Sequence, residues 1–120
     1  MADLPNLSSY CCRVTVTTTA TPLATLIKSY FTTNYPNTYT PNVNSALANL
    51  QSSTATTTTI VLGDRLLNIG SGLGIGFELQ PTQSFFFPEA AGMRQSIDLN
   101  SYSVAVAAGT GVLNIVCNGG

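Results

Sequence analysis

Residues 10–20, YCCRVTVTTTA, alternate Tyr10, Cys12, Val14 and Val16 with Cys11, Arg13, Thr15 and Thr17. A period of two filled with β-branched residues suits a half-buried strand and gives a helix no continuous apolar face. Only one segment departs from this rhythm. In TPLATLIKSYF, residues 21–31, Leu23, Leu26, Ile27 and Tyr30 fall at the i, i+3, i+4, i+7 spacing of a helix face, with Thr21 suited to the N-cap and Pro22 to the first helical position. The spacing predicts a helix over about residues 22–31, followed by a loop, TTNYPNTYTPN, that Pro36 and Pro41 hold extended.

Beyond residue 43 the chain reads as short strands separated by turn residues: 46–51, 57–62, 76–79, 84–87, 102–107 and 112–117. FELQPTQSFFF and the AGTG between the last two strands both read as hairpins. With one helix and no βαβ rhythm, the expected fold is mainly β: a small single-domain β-sandwich or jelly-roll-like barrel with one short helix in its N-terminal half. Residues 1–42 would supply a strand, the helix and the proline-rich loop, and residues 43–117 the sandwich core.

The run NIGSGLGIGFELQP, residues 68–81, has a glycine at every second position from Gly70 to Gly76. A phosphate-holding loop needs a helix directly behind it, so that backbone N–H groups converge on the anion. Here Phe77 and Leu79 alternate with Glu78 and Gln80 and the run closes at Pro81, which is strand patterning. The glycines are therefore read as a connection that permits bulges and close backbone approach.

Charge narrows the partners. Only 8% of the 120 residues are charged, against roughly 25% in an ordinary soluble domain. The formal net charge is −1 and the polar complement is Thr, Ser and Asn, a composition that implies a surface largely covered by other protein. The basic residues Arg13, Lys28, Arg65 and Arg94 are too scattered to follow a nucleic-acid backbone. The N-terminus MADLPNLSSY has neither a basic nor an apolar leader segment, and VAVAAGTGVLNIVC is interrupted well short of a membrane span. Synthesis and assembly in a cytosol, with no membrane and no nucleic-acid partner, is the expectation.

Cys11 and Cys12 are adjacent and Cys117 lies near the other end of the chain. On a strand the adjacent pair points to opposite faces. Three thiols and no histidine leave a structural zinc one ligand short, so free, partly buried thiols are expected, with a bond to Cys117 open if the termini pair. The absence of histidine also removes the commonest catalytic triads. The carboxylates are Asp3, Asp64, Asp98, Glu78 and Glu89; Asp64 and Glu78 form the one conceivable acid–base pair, against the plainer roles of turn cap and solvent-facing strand residue. Lys28 falls on the polar side of the helix, where solvation is its expected task. No catalytic residue, cofactor or metal is assigned.

The order TTTTIVLGD, GIGFELQPTQSFFFP, IDLNSYSVAVAAGTGVLNIVC resembles small β-rich virion proteins of tailed bacteriophages, of the capsid decoration or minor capsid type, over residues 54–117. It departs from that group at Thr82 and Gln83, where the group carries glycine and glutamate. The resemblance implies a non-catalytic structural protein of the virion, made in the host cytoplasm. It would bind the major capsid protein and staple neighbouring capsomers as a homo-oligomer such as a trimer. The alternative is a virion-surface binding module, a head fibre or a receptor- or glycan-binding domain. Candidate interface residues are Phe86, which alternates against Phe85 and Phe87, the loop aromatics Tyr35 and Tyr39, and the outward face Arg13, Thr15 and Thr17 of the first strand.

Overall fold

The computed structural model describes residues 6–7, 9–44, 47–53, 58–67, 76–86, 89–90, 93–94 and 97–118. In chain order the elements are β1 (Asn6–Leu7), β2 (Tyr10–Val16), β3 (Thr21–Pro22), α1 (Leu23–Asn34), β4 (Thr40–Pro41), β5 (Leu47–Ser52) and β6 (Ile60–Asp64). They continue with β7 (Phe77–Leu79), β8 (Ser84–Phe86), β9 (Glu89–Ala90), β10 (Met93–Arg94), a 3-10 turn (Leu99–Ser101), β11 (Tyr102–Val106) and β12 (Gly111–Asn118).

The antiparallel pairs are nested along the chain: β6 with β7, β5 with β8, β3 with β11, and β2 with β12 outermost. Two further pairings, β12 with β5 and β11 with β6, wrap this long folded ribbon into two four-stranded sheets. The first sheet runs β2-β12-β5-β8 and the second β3-β11-β6-β7. Apart from β6 and β7, which pair within the second sheet, successive strands of the two sheets cross from one to the other, the winding of a jelly roll. The fold is mainly β, as the short alternating runs imply.

Both expected hairpins are corrected by this topology. β7 pairs with β6 and β8 with β5, so FELQPTQSFFF turns a corner between sheets. β11 and β12 likewise lie in different sheets, joined by a connection in which Gly109 takes φ +70°. The physical reason is common to both: turn residues reverse the chain direction equally well within a sheet or over its edge, and burial decides which.

Burial follows the period. β2 alternates with Tyr10, Cys12, Val14 and Val16 inward, and Leu113, Ile115 and Cys117 of β12 meet them in the core between the sheets. Ala48 and Leu50 of β5, Ile60 and Leu62 of β6, and Val104 and Val106 of β11 complete it. β6 and β11 lack alternation because their other face is also covered: Val61 and Ala105 form a second small cluster with Leu67. Each fully buried aliphatic side chain contributes about 1.5–3 kcal/mol.

Helix α1 lies in the connection from β3 to β5 and packs against β2, β3, β4 and β11. It starts one residue later than expected. Pro22 is the N-cap, with no side-chain cap, because Thr21 and Pro22 are drawn into β3 opposite Val104 and Ser103. The Thr21 hydroxyl bonds to the Thr19 carbonyl instead. The helix also runs on through Asn34, since Pro36 restricts only its predecessor Tyr35, where the chain leaves the helix. Its buried face is Leu23, Ala24, Ile27 and Phe31, with Leu26 and Tyr30 partly buried, rotated slightly from the expected stripe.

Candidate functional site

Outward-facing residues of the first sheet form polar rows. Arg13 stands opposite Asn114, which stands opposite Gln51, which faces Ser84. Arg13 Nε donates to Asn114 Oδ1 at 2.9 Å, so the cation is held flat along the sheet. Thr15 is exposed on the same face, opposite Val112, and Cys11 is exposed opposite Val116. Thr17 follows the strand; it is exposed, and its carbonyl accepts from the Val106 N–H at 3.0 Å. Phe86 is placed in β8 opposite Asn49 by its backbone, its side chain lying outside the described part, and Phe87 lies outside the described residues.

The second feature is apolar and lies where β7 and β8 end the two sheets. Phe77 pairs with Leu62 and Phe85 with Leu50, both core residues, so the two rings enter the space between sheets from opposite sides. Their centroids are 5.0 Å apart. Among the described residues no further strand closes that side, and Phe77 stays 64% exposed. Beside it is a pocket of about 320 Å³ lined by Leu62, Asp64, Gly76, Phe77, Phe85 and Tyr102. Gly76 passes so close to β6 that a Cβ there would run into the Leu62 carbonyl. This is the close backbone approach expected of the glycine run; residues 68–75 lie outside the described residues.

Leu66 projects at 77% exposure from the turn that follows β6, beside Asp64, Arg65 and Ser101. The turn that presents it is capped by Asp64, whose Oδ1 accepts from the Leu66 N–H at 2.8 Å. Leu67 then folds back onto Val61. Glu78 is exposed on β7 opposite Val61, about 10 Å along the strand from Asp64, so the two carboxylates are not brought together. Leu66 and Phe77 were missed from sequence because each sits beside residues that suit burial. The available signal was an apolar residue directly after the Asp64–Arg65 turn.

The third feature is aromatic. Tyr10 and Phe31 meet edge to face at 5.4 Å in the core, and the contact continues outward through Tyr35, 5.7 Å from Phe31, to Tyr39, 5.9 Å from Tyr35. Tyr35 and Tyr39 are 43% and 37% exposed and line a pocket of about 380 Å³ at the C-terminal end of α1. Sequence placed both tyrosines on a loop; the structure brings them into the lining of one pocket.

The buried ends of β2 and β12 hold Tyr10, Cys12 and Cys117. Burial pushes the Cys12 thiol up to about 12, and burial also raises Cys117 and Tyr10. The Tyr10 hydroxyl donates to the Asn42 carbonyl at 2.8 Å. All three cysteines are free: Cys117 stands opposite Tyr10, and Cys11 points to the outer face. Among the described residues no group of His, Cys, Asp and Glu is arranged to hold a metal, and no helix is long and apolar enough to cross a membrane.

No protein-family model matches the chain, and neither a curated protein nor a solved structure shows significant similarity to it.

Proposed function

We propose that this protein is a structural component of a virus particle, a decoration or minor capsid protein that binds the capsid and ties neighbouring subunits together. The observation that carries the reading is the pair of exposed apolar side chains Leu66 and Phe77, on either side of Asp64, in a chain only 8% of whose residues are charged. In water such a pair promotes association, and a neutral, hydroxyl-rich surface does little to oppose it. The jelly-roll winding is one that capsid domains use, as lectin and cupin domains also do, so the fold is compatible with the reading without deciding it. The resemblance to tailed-phage virion proteins over residues 54–117 points the same way. Cupin metal chemistry draws on histidine, which this chain lacks.

The partner that covers this pair is a neighbouring capsid subunit. Leu66→Asp places a charge on an exposed position clear of the core and should leave the melting temperature near wild type, whereas Phe77→Asp also gives up the ring contact with Phe85 and should lower it modestly; both variants should be lost from particles assembled in their presence. Wild-type retention of the double variant on purified particles would reject the role assigned to this pair.

A further inference from the structure

We propose that the pocket between the end of α1 and β4 is a carbohydrate site, built to hold one acidic pyranose on Tyr35 and Tyr39. This goes beyond the stapling role and uses the C-terminal end of α1 and β4, which share no lining residue with the pocket at β7. Sugar rings present C–H faces that pack on aromatic rings and hydroxyls that need polar partners at the rim, and the pocket supplies both. Tyr35 and Tyr39 stand at 68° to each other, so one offers a floor and the other a wall. The volume of about 380 Å³ lies within the roughly 300–1,000 Å³ usual for small-ligand sites.

The platform is fixed before any ligand arrives. Tyr35 is braced by Tyr30 at 6.3 Å and Phe31 at 5.7 Å, the latter part of the core. The Thr38 N–H donates to the Tyr35 carbonyl at 3.2 Å and the Thr38 hydroxyl to the Pro36 carbonyl at 3.2 Å, while Asn37 takes the left-handed φ of +57° that asparagine tolerates. A loop ordered in this way loses little freedom on binding.

Polar chemistry selects the class of sugar. Thr32 and Asn37 stand at the rim, and among the described residues Lys28 is the one charged residue of the lining; Asp98, outside the lining, feels the same ammonium. The Thr32 hydroxyl spends its proton on the Lys28 carbonyl at 2.9 Å, leaving its oxygen to accept from a sugar hydroxyl. An ammonium in a lining that holds two tyrosine rings and no carboxylate matches a pyranose that carries a carboxylate, such as a uronic or sialic acid, better than a neutral hexose.

The test is an array of immobilised oligosaccharides, with uronic- and sialic-acid-bearing glycans beside neutral counterparts, probed with the full chain and its variants. Expected is retention on acidic glycans, about a tenfold loss or more for Tyr35→Ala and for Tyr39→Ala, the worth of one aromatic contact, and loss of the acidic preference in Lys28→Gln. Both tyrosines are partly exposed, so thermal unfolding of these variants should stay close to wild type and separate lost binding from lost folding. Absence of binding to any glycan, or binding indifferent to both tyrosine variants, would overturn the site; equal binding of acidic and neutral sugars would overturn the assigned class. Particle retention of the same variants should be unchanged, which keeps this result separate from the stapling role.

Discussion

Thr82 has φ +72°, the left-handed region, where a β-branched side chain is strained. The strain comes from a tight turn: the Gln83 N–H reaches the Gln80 carbonyl at 3.0 Å, with Pro81 and Thr82 at the central positions, the second of which favours glycine when its φ is positive. Relief of about 1–3 kcal/mol of strain, less the 0.5–1 kcal/mol or so that glycine's freedom costs, predicts that Thr82→Gly stabilises by about 1 kcal/mol. A melting temperature raised by about 4 °C would bear this out, and a lowered one would refute it. The buried thiol of Cys12 gives a pH dependence of known sign. Its ionisation is raised from about 9 to about 12 in the folded chain. The unfolded chain therefore loses that proton first, and the contribution is fully present below pH 9 and is lost as pH rises towards 12. Urea midpoints should fall between pH 8 and pH 11 more steeply in the wild type than in Cys12→Ala, and equal slopes would contradict the assignment.

Among the elements, β2 decides whether the sandwich exists. It stands at the edge of the first sheet, yet it places Val14 and Val16 in the core and is paired along its whole length with β12 of the same chain. Deletion of residues 1–18 should abolish cooperative unfolding; a truncated chain that still melts cooperatively would show that β2 is dispensable. Strand and helix identities were legible because their periods are local: Tyr10 to Val16 alternate, and Leu23, Ile27 and Phe31 share a helix face. Partners were not. Nothing in QPTQ or AGTG says that the next strand joins the other sheet, because that choice depends on which strands are already paired and on what the new strand can cover. The same limit hid the site. Phe77 has the inward phase of a core residue, and only its place on the last strand of the sheet leaves it exposed.

At the scale of the whole molecule, the two sheets enclose one core, while two regions of the surface around it differ in chemistry. The C-terminal end of α1 carries the tyrosine pocket; the turn after β6 carries Leu66, and β7 carries Phe77. If the chain is a structural virion protein, the apolar region meets neighbours and the aromatic region remains open. A reconstruction of the intact particle at side-chain resolution measures this directly. Each copy should bury on the order of 800 Å² or more against its neighbours, the scale of a specific interface, with Leu66 and Phe77 inside that contact and Tyr35 and Tyr39 facing solvent. A particle that lacks the chain, or one that holds it only through small wet contacts with Phe77 in solvent, would contradict it.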